Sequence, residues 1–198
     1  MKKSPPLKLR TRLADTFTYS QAKKAGLSDV VLYSMRDRLE IVPIARGLYR
    51  WADSDPADLD LIEIAARLPR ATLCLETALA RHRLTDMIPG VIDVAIPRGA
   101  HRPLLYAPCQ LHVFARDTFD VGRELIDVGA PKLLGLYSAE RSIVDLIRLR
   151  HKEGGDVAWE ALRRWLAQPG SSPASLLRLA KRFRGAETAL RKGLEVLL

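Results

Sequence analysis

The side chains whose types and spacing are suited to chemistry gather between Lys24 and Arg50. Tyr33, Ser34, Arg36 and Asp37 lie within five positions, with Ser28 and Asp29 just before them and Arg46 and Arg50 shortly after. Phenol, hydroxyl, guanidinium and carboxylate groups in such a cluster make hydrogen bonds to base edges and to phosphates. Signatures of bond-breaking chemistry are missing: there is no Gly-x-Ser-x-Gly elbow and no Gly-x-x-x-x-Gly-Lys-Ser loop. His82, His101, His112 and His151 stand singly, without a His-x-x-x-His spacing to place two nitrogens on one metal. Asp93 and Glu76 would begin a metal-dependent nuclease site, but the next strand offers Leu, His and Val where an acidic-x-Lys pair is needed. Asp53 with Asp55, and Asp58 with Asp60, read as solvated carboxylates. The expectation is a binding protein rather than an enzyme, with no cofactor and no metal.

The elements that must position the cluster are legible in the same stretch. Thr18-Tyr19-Ser20-Gln21 has the pattern of a capping box, so a short helix starts there, and Gly26 ends it by taking a left-handed conformation. Small Ala22 lets a second helix approach closely. That helix is capped by Ser28 and carries Val31, Leu32, Met35 and Leu39 at helical spacing. With Leu32 and Met35 inward, Asp29, Tyr33, Ser34, Arg36 and Asp37 face outward. Ile41 to Ile44 and Leu48 to Trp51 form a hairpin through Ala45-Arg46-Gly47. Helix, turn, helix and hairpin in this order describe a winged helix-turn-helix, whose second helix enters the DNA major groove. The expected DNA-binding residues are Lys24, Ser28, Asp29, Tyr33, Ser34, Arg36, Asp37, Arg46 and Arg50.

The run FTYSQAKKAGLSDVVLYSMRDRLEIVPIARGLYRW resembles the N-terminal domain of the AbiEi family, antitoxins and repressors of bacterial type IV toxin-antitoxin systems. CLETALARHRLTDMIPGVIDVAIPRG and LYSAERSIVDLIR are similar to later segments of that family, although Ala139 stands where proline is usual and Ser142 where threonine is. The resemblance covers about residues 10 to 150. It implies an autoregulating repressor bound to inverted repeats in its own promoter, with a nucleotidyltransferase-like toxin as functional partner. A direct contact with that toxin is not implied. Two other classes stay open: a metal-dependent nucleic-acid enzyme using the acidic middle, and an RNA-binding adaptor using the basic tail.

Charge is unevenly distributed over the 198 residues, whose formal net charge is +9. Residues 1–52 hold 11 Lys+Arg against 4 Asp+Glu, residues 53–147 hold 10 against 14, and residues 148–198 hold 11 against 5. Two basic ends suit phosphates, and an acidic middle does not. Cys74 and Cys109 are too few for a disulfide framework. The basic start, MKKSPPLKLRTR, lacks the apolar core of a signal peptide, and no apolar run reaches membrane-span length, so a cytoplasmic location without membrane contact is expected. Met1 to Pro6 reads as a flexible basic arm.

The fold class expected is α+β: a winged helix-turn-helix over 1–55, then an α+β domain over 56–198 with a mainly helical tail. Leu7, Leu9 and Leu13 suit a first helix over the N-terminal core. Pro56 fits the first turn of a helix to Leu68. Strands are expected at 71–75, 91–96, 110–115, 124–128 and 132–136 in a largely antiparallel sheet, with a helix at 76–83. Helices follow at Ser138 to Gly154-Gly155, 156–167, 173–183 and 185–197. Glu140 is expected either to pair with Arg141 or to favour the helix N-terminus. Arg178, Lys181, Arg182 and Arg184 form a basic stripe, a second candidate surface. His101 with Arg98 and Arg102 is a further basic cluster, at the end of a strand.

Overall fold

A computed structural model of the chain describes residues 7–153 and 155–197. The basic arm at Met1 to Pro6 and the helix end at Gly154 lie outside the described residues. The chain divides into two compact units. The first holds the described residues through Pro69 together with His101–Pro108 and Ile126–Leu134; the second holds Arg70–Ala100, Cys109–Leu125 and the residues from Gly135 onward. The chain passes first from one unit to the other at Pro69–Arg70, after the expected boundary near residue 55, and returns to the first unit twice. The helix after the acidic connector joins the first unit because its Ile62 is buried with Ala45 and Leu48.

The first unit contains α1 (Leu7–Arg10), β1 (Thr16–Thr18), α2 (Tyr19–Lys24), α3 (Asp29–Asp37), β2 (Ile41–Ala45), β3 (Leu48–Trp51) and α4 (Leu59–Arg67). Its three strands pair antiparallel in the order β1-β3-β2. Leu13, Phe17, Leu27, Leu32, Met35 and Trp51 are among the side chains closing the core, with the Phe17 and Trp51 rings 5.4 Å apart. Of the apolar residues at helical spacing on α3 and just after it, Leu32 and Met35 are buried, whereas Val31 is 42% and Leu39 73% exposed. The four-position interval from Val31 to Met35 swings Val31 to the flank of the stripe that Leu32 and Met35 define. Leu39 lies past the helix in a left-handed conformation, φ 58°. α4 begins later than expected, because the Asp58 carboxylate accepts the Leu61 amide and caps it there, leaving Pro56 ahead of the helix.

The second unit carries β4 (Thr72–Leu73), α5 (Leu75–Arg81), β5 (Ile92–Pro97), β6 (Cys109–Phe114), β7 (Arg123–Ile126), β8 (Leu134–Tyr137), α6 (Ala139–Glu153), α7 (Asp156–Leu166), α8 (Pro173–Ala180) and α9 (Ala186–Leu197), except that Ile126 and Leu134, at the ends of β7 and β8, fall with the first. The sheet order is β6-β5-β4-β8-β7. It is mixed rather than largely antiparallel: β4 runs antiparallel to β5, whereas β5–β6 and β4–β8 are parallel pairs. The chain is thus mixed α/β with its helices gathered towards the C-terminus, in keeping with the α+β class.

Arg141 does not pair with Glu140. Buried to 1% exposure, it reaches one turn forward to Asp145, itself fully buried, at 2.7 Å. Its Nη1 donates to the carbonyls of Thr118 and Val121, and its Cζ lies 4.3 Å from the Tyr137 ring centroid and 4.2 Å from that of Phe183. No helix among the described residues is long and apolar enough to cross a membrane.

Candidate functional site

The site is built by two caps and one turn. Thr18 accepts the Gln21 amide while the Gln21 side chain accepts the Thr18 amide, which fixes the start of α2. At its end the Gly26 amide donates to Lys23 and the Leu27 amide to Ala22, with Gly26 at φ 92°, a conformation open to glycine without strain. Leu27 is buried beneath this corner, and Ser28 accepts the Val31 amide to start α3 at once. The corner is tied a second time: the Tyr19 hydroxyl donates to Asp29 at 2.7 Å and Lys23 reaches the same oxygen at 3.2 Å. Those two partners hold the Asp29 carboxyl below its usual range, and Asp29 in turn pushes the Tyr19 phenol up.

Leu32 and Met35 turn α3 inward, and Tyr33 and Arg36 are left exposed. The Arg36 guanidinium lies 5.1 Å from the Tyr33 ring centroid and binds Asp37 through two nitrogens at 3.1 and 2.9 Å. The hairpin turns through Arg46 and Gly47, with Gly47 at φ 72°, and the Tyr19 amide donates to the Gly47 carbonyl at 2.8 Å. The hairpin turn is therefore pinned to the first residue of α2. Between α3 and the hairpin runs a cleft of about 470 Å³ lined by Tyr33, Arg36, Arg46, Tyr49 and Tyr106. It adjoins a second of about 640 Å³ that shares Tyr33, Arg46 and Tyr49 and adds Tyr19, Arg67 and Pro103. Guanidinium groups beside phenol rings present forked donors for phosphate or base edges and flat faces for stacking.

The structure brings Tyr33, Arg36 and Arg46 onto this one surface and distributes the other expected residues differently. The Ser28 hydroxyl is engaged as a cap, Ser34 is half-buried, and Asp29 and Asp37 are held in ion pairs. Lys24 is exposed but lines a separate cleft with Arg12 and Gln21. Arg50 is corrected outright: it is 8% exposed, donating to the Thr16 hydroxyl at 2.8 Å and to the Asp55 carbonyl at 2.7 Å. Every residue of β3 is buried, so the strand has no outward face for Arg50 to use.

Tyr106 lines this cleft, and Val30 is exposed on α3 beside it in sequence, although neither belongs to the expected set. Val30, 80% exposed, stands opposite Leu32 and Met35 on α3, a position the helical period would have marked once those two were placed inside. Tyr106 comes from a segment remote in sequence, and no local pattern points to it. Of the basic loop, His101 and Arg102 fall with the first unit and Arg98 with the second, all exposed. Arg178, Lys181, Arg182 and Arg184 are exposed on α8 and the turn after it, where Arg178 donates to Ser175. The Asp93 carboxylate meets the His112 ring at 2.9 Å and accepts from the Thr77 hydroxyl at 3.4 Å, while the Asp93 amide donates to that hydroxyl at 2.8 Å. No group of three or more His, Cys, Asp or Glu side chains among the described residues is placed to hold a metal ion.

No family model matches the chain, and no curated protein matches it. Among solved structures it is similar to the RV2827C protein from Mycobacterium tuberculosis, with a TM-score of 0.52 and 14% sequence identity over 100% of this chain and 82% of that one. At this identity the likeness concerns the fold alone.

Proposed function

We propose that the chain is a sequence-specific DNA-binding repressor of the winged helix-turn-helix type, the autoregulating antitoxin of a type IV toxin-antitoxin system of the AbiEi kind. The observation that carries the reading is the shared cleft: Tyr33 and Arg36 from α3 and Arg46 from the hairpin turn face one surface. In this reading α3 lies in the major groove. Tyr33, Arg36 and Val30 meet base edges, with Val30 suited to a thymine methyl, and the β2–β3 hairpin is a wing that carries Arg46 to the backbone or minor groove.

Energetics favour the exchange. The Arg36–Asp37 pair is exposed, and such pairs contribute about 0–1 kcal/mol. A bidentate contact between arginine and guanine discriminates against other bases by about 1–3 kcal/mol, and the weak pair with Asp37 puts little in its way. One winged helix neutralises few phosphates. Two copies on an inverted repeat, with the exposed Arg178, Lys181, Arg182 and Arg184 reinforcing the contact, supply further affinity. The reading requires no cofactor and no catalytic group, places the protein with DNA in the cytoplasm, and leaves the toxin a functional partner that need not be bound directly.

An electrophoretic shift with the DNA upstream of its own coding sequence tests the repressor half. A specific complex is expected; equal affinity for that fragment and for random DNA would refute it. Co-expression with the neighbouring toxin gene tests the antitoxin half. The full chain carrying Tyr33→Ala and Arg36→Ala should rescue growth while losing repression, whereas continued toxicity with a folded, abundant variant would reject a separate antitoxin activity.

A further inference from the structure

The segment His101–Pro108 carries two large apolar side chains in the open: Leu104 is 81% and Tyr106 74% exposed. They stand two positions apart on a segment whose backbone is held by bonds to a buried carboxylate. The fixing group is Glu63 of α4, 2% exposed, whose carboxylate accepts the Tyr106 amide at 3.0 Å and the Ala107 amide at 2.9 Å. A buried carboxylate must be compensated, and these backbone donors compensate it only while the segment keeps this conformation. Glu63 therefore acts as a positioning residue. It sets Tyr106 in the wall of the cleft that holds Arg36 and Arg46, while Pro103 lines the adjoining cleft with Arg67. His101 and Arg102, both exposed, precede the apolar pair.

We infer that residues 101–106 form a third element of the DNA-binding surface, an arm that meets the flank of the site read by α3, with His101 and Arg102 at phosphates and Leu104 and Tyr106 against the minor groove. The inference rests on the DNA-binding reading above and extends it to a segment far along the chain. Apolar side chains set beside cations are the combination with which proteins enter a minor groove, wedging a base step while arginine follows its narrow floor. Charge decides against a second copy of this chain as occupant. Arg36, Arg46 and Arg67 line the clefts beside the arm, and an identical cationic surface would be repelled where a polyanion is drawn in.

The test uses the full chain and a long duplex from its own promoter, comparing wild type with Leu104→Ser/Tyr106→Ala, with Arg102→Ala, and with Tyr33→Ala/Arg36→Ala. The arm side chains are exposed, so the unfolding midpoint should not move. The apolar double variant is expected to bind about tenfold more weakly and to give a hydroxyl-radical footprint shortened at its flank. Arg102→Ala should lower the magnitude of the salt slope by about one. If Tyr33→Ala/Arg36→Ala loses the operator while both arm variants keep wild-type affinity, slope and footprint, the arm is outside the interface and the DNA reading stands without it. Should wild type itself fail to prefer its promoter, both fall. Dissociation of a dimer by the apolar variant, with each half-site footprint intact, would make the arm a self-association surface and overturn the inference.

Discussion

Arg36 holds its guanidinium 5.1 Å from the ring of Tyr33, one turn earlier on the same helix. The ring limits the swing of the arginine, whose Nε and Nη2 donors are held by Asp37 in the free protein. Alanine at either position should weaken binding to the promoter site far more than to random DNA, by about 1–3 kcal/mol of discrimination. Because one residue orients the other, the double variant should lose less than the sum of the singles, by about 0.5–1 kcal/mol. Fluorescence anisotropy over the four-member cycle measures this, and strict additivity would show that the stacking does not organise the contact.

Arg46 and Arg50 lie four residues apart and should behave oppositely. Arg46→Ala removes an exposed cation from the hairpin turn and should reduce the salt slope by about one with stability unchanged. Arg50→Ala leaves the Thr16 hydroxyl and the Asp55 carbonyl without their buried donor and should destabilise by about 2 kcal/mol, with the slope preserved. Salt titration beside urea unfolding separates the two, and a lowered slope in Arg50→Ala would return that residue to the interface.

The second unit is expected to depend on Arg141. Its removal leaves the fully buried Asp145, among the described residues, to the Arg148 contact at 2.9 Å and opens a gap between Tyr137 and Phe183. Arg141→Ala should lose about 3–5 kcal/mol in denaturant unfolding. Arg141→Met with Asp145→Leu should recover most of it, since the uncompensated charge is then gone. A loss below about 1 kcal/mol in the single variant would mean that water reaches Asp145.

Alkaline stability follows from Tyr137. Burial pushes its phenol well above the ordinary value of 10.0, and the nearby Asp145 pushes in the same direction against Arg141. Because the folded value is the higher one, the stabilisation is complete below the unfolded pKa and is lost as pH rises beyond it. Unfolding free energy should therefore fall above about pH 10. Tyr137→Phe should flatten that decline, although it gives up the 2.8 Å bond to the Phe119 carbonyl at neutral pH. An equally steep decline in the variant would assign it to other groups.

Local chemistry was the legible part of this chain. The capping box at Thr18, the glycine corner at Gly26, the Ser28 cap and the glycine of the hairpin turn are each set by residues within four positions, and each stands where its sequence pattern put it. Partners distant in sequence were not legible. Arg50 looked like an exposed cation because nothing nearby announces Thr16 across the sheet, and Glu63 gave no sign of the Tyr106 amide 43 positions later. The parallel pairing of β5 with β6 was hidden for the same reason, since it follows from how the connection runs and not from the strands' own composition.

Whether α3 reads DNA is tested most directly by competition between duplexes. Labelled promoter DNA bound to the wild-type chain is challenged with unlabelled promoter and with shuffled duplex, and the ratio of competitor strengths is compared with that of Tyr33→Ala/Arg36→Ala. Wild type should show a ratio of at least about a thousandfold, and the variant should lose most of it while keeping its residual, salt-sensitive affinity for any duplex. A wild-type ratio near one, or a variant that discriminates as well as wild type, would mean that α3 is not a recognition helix.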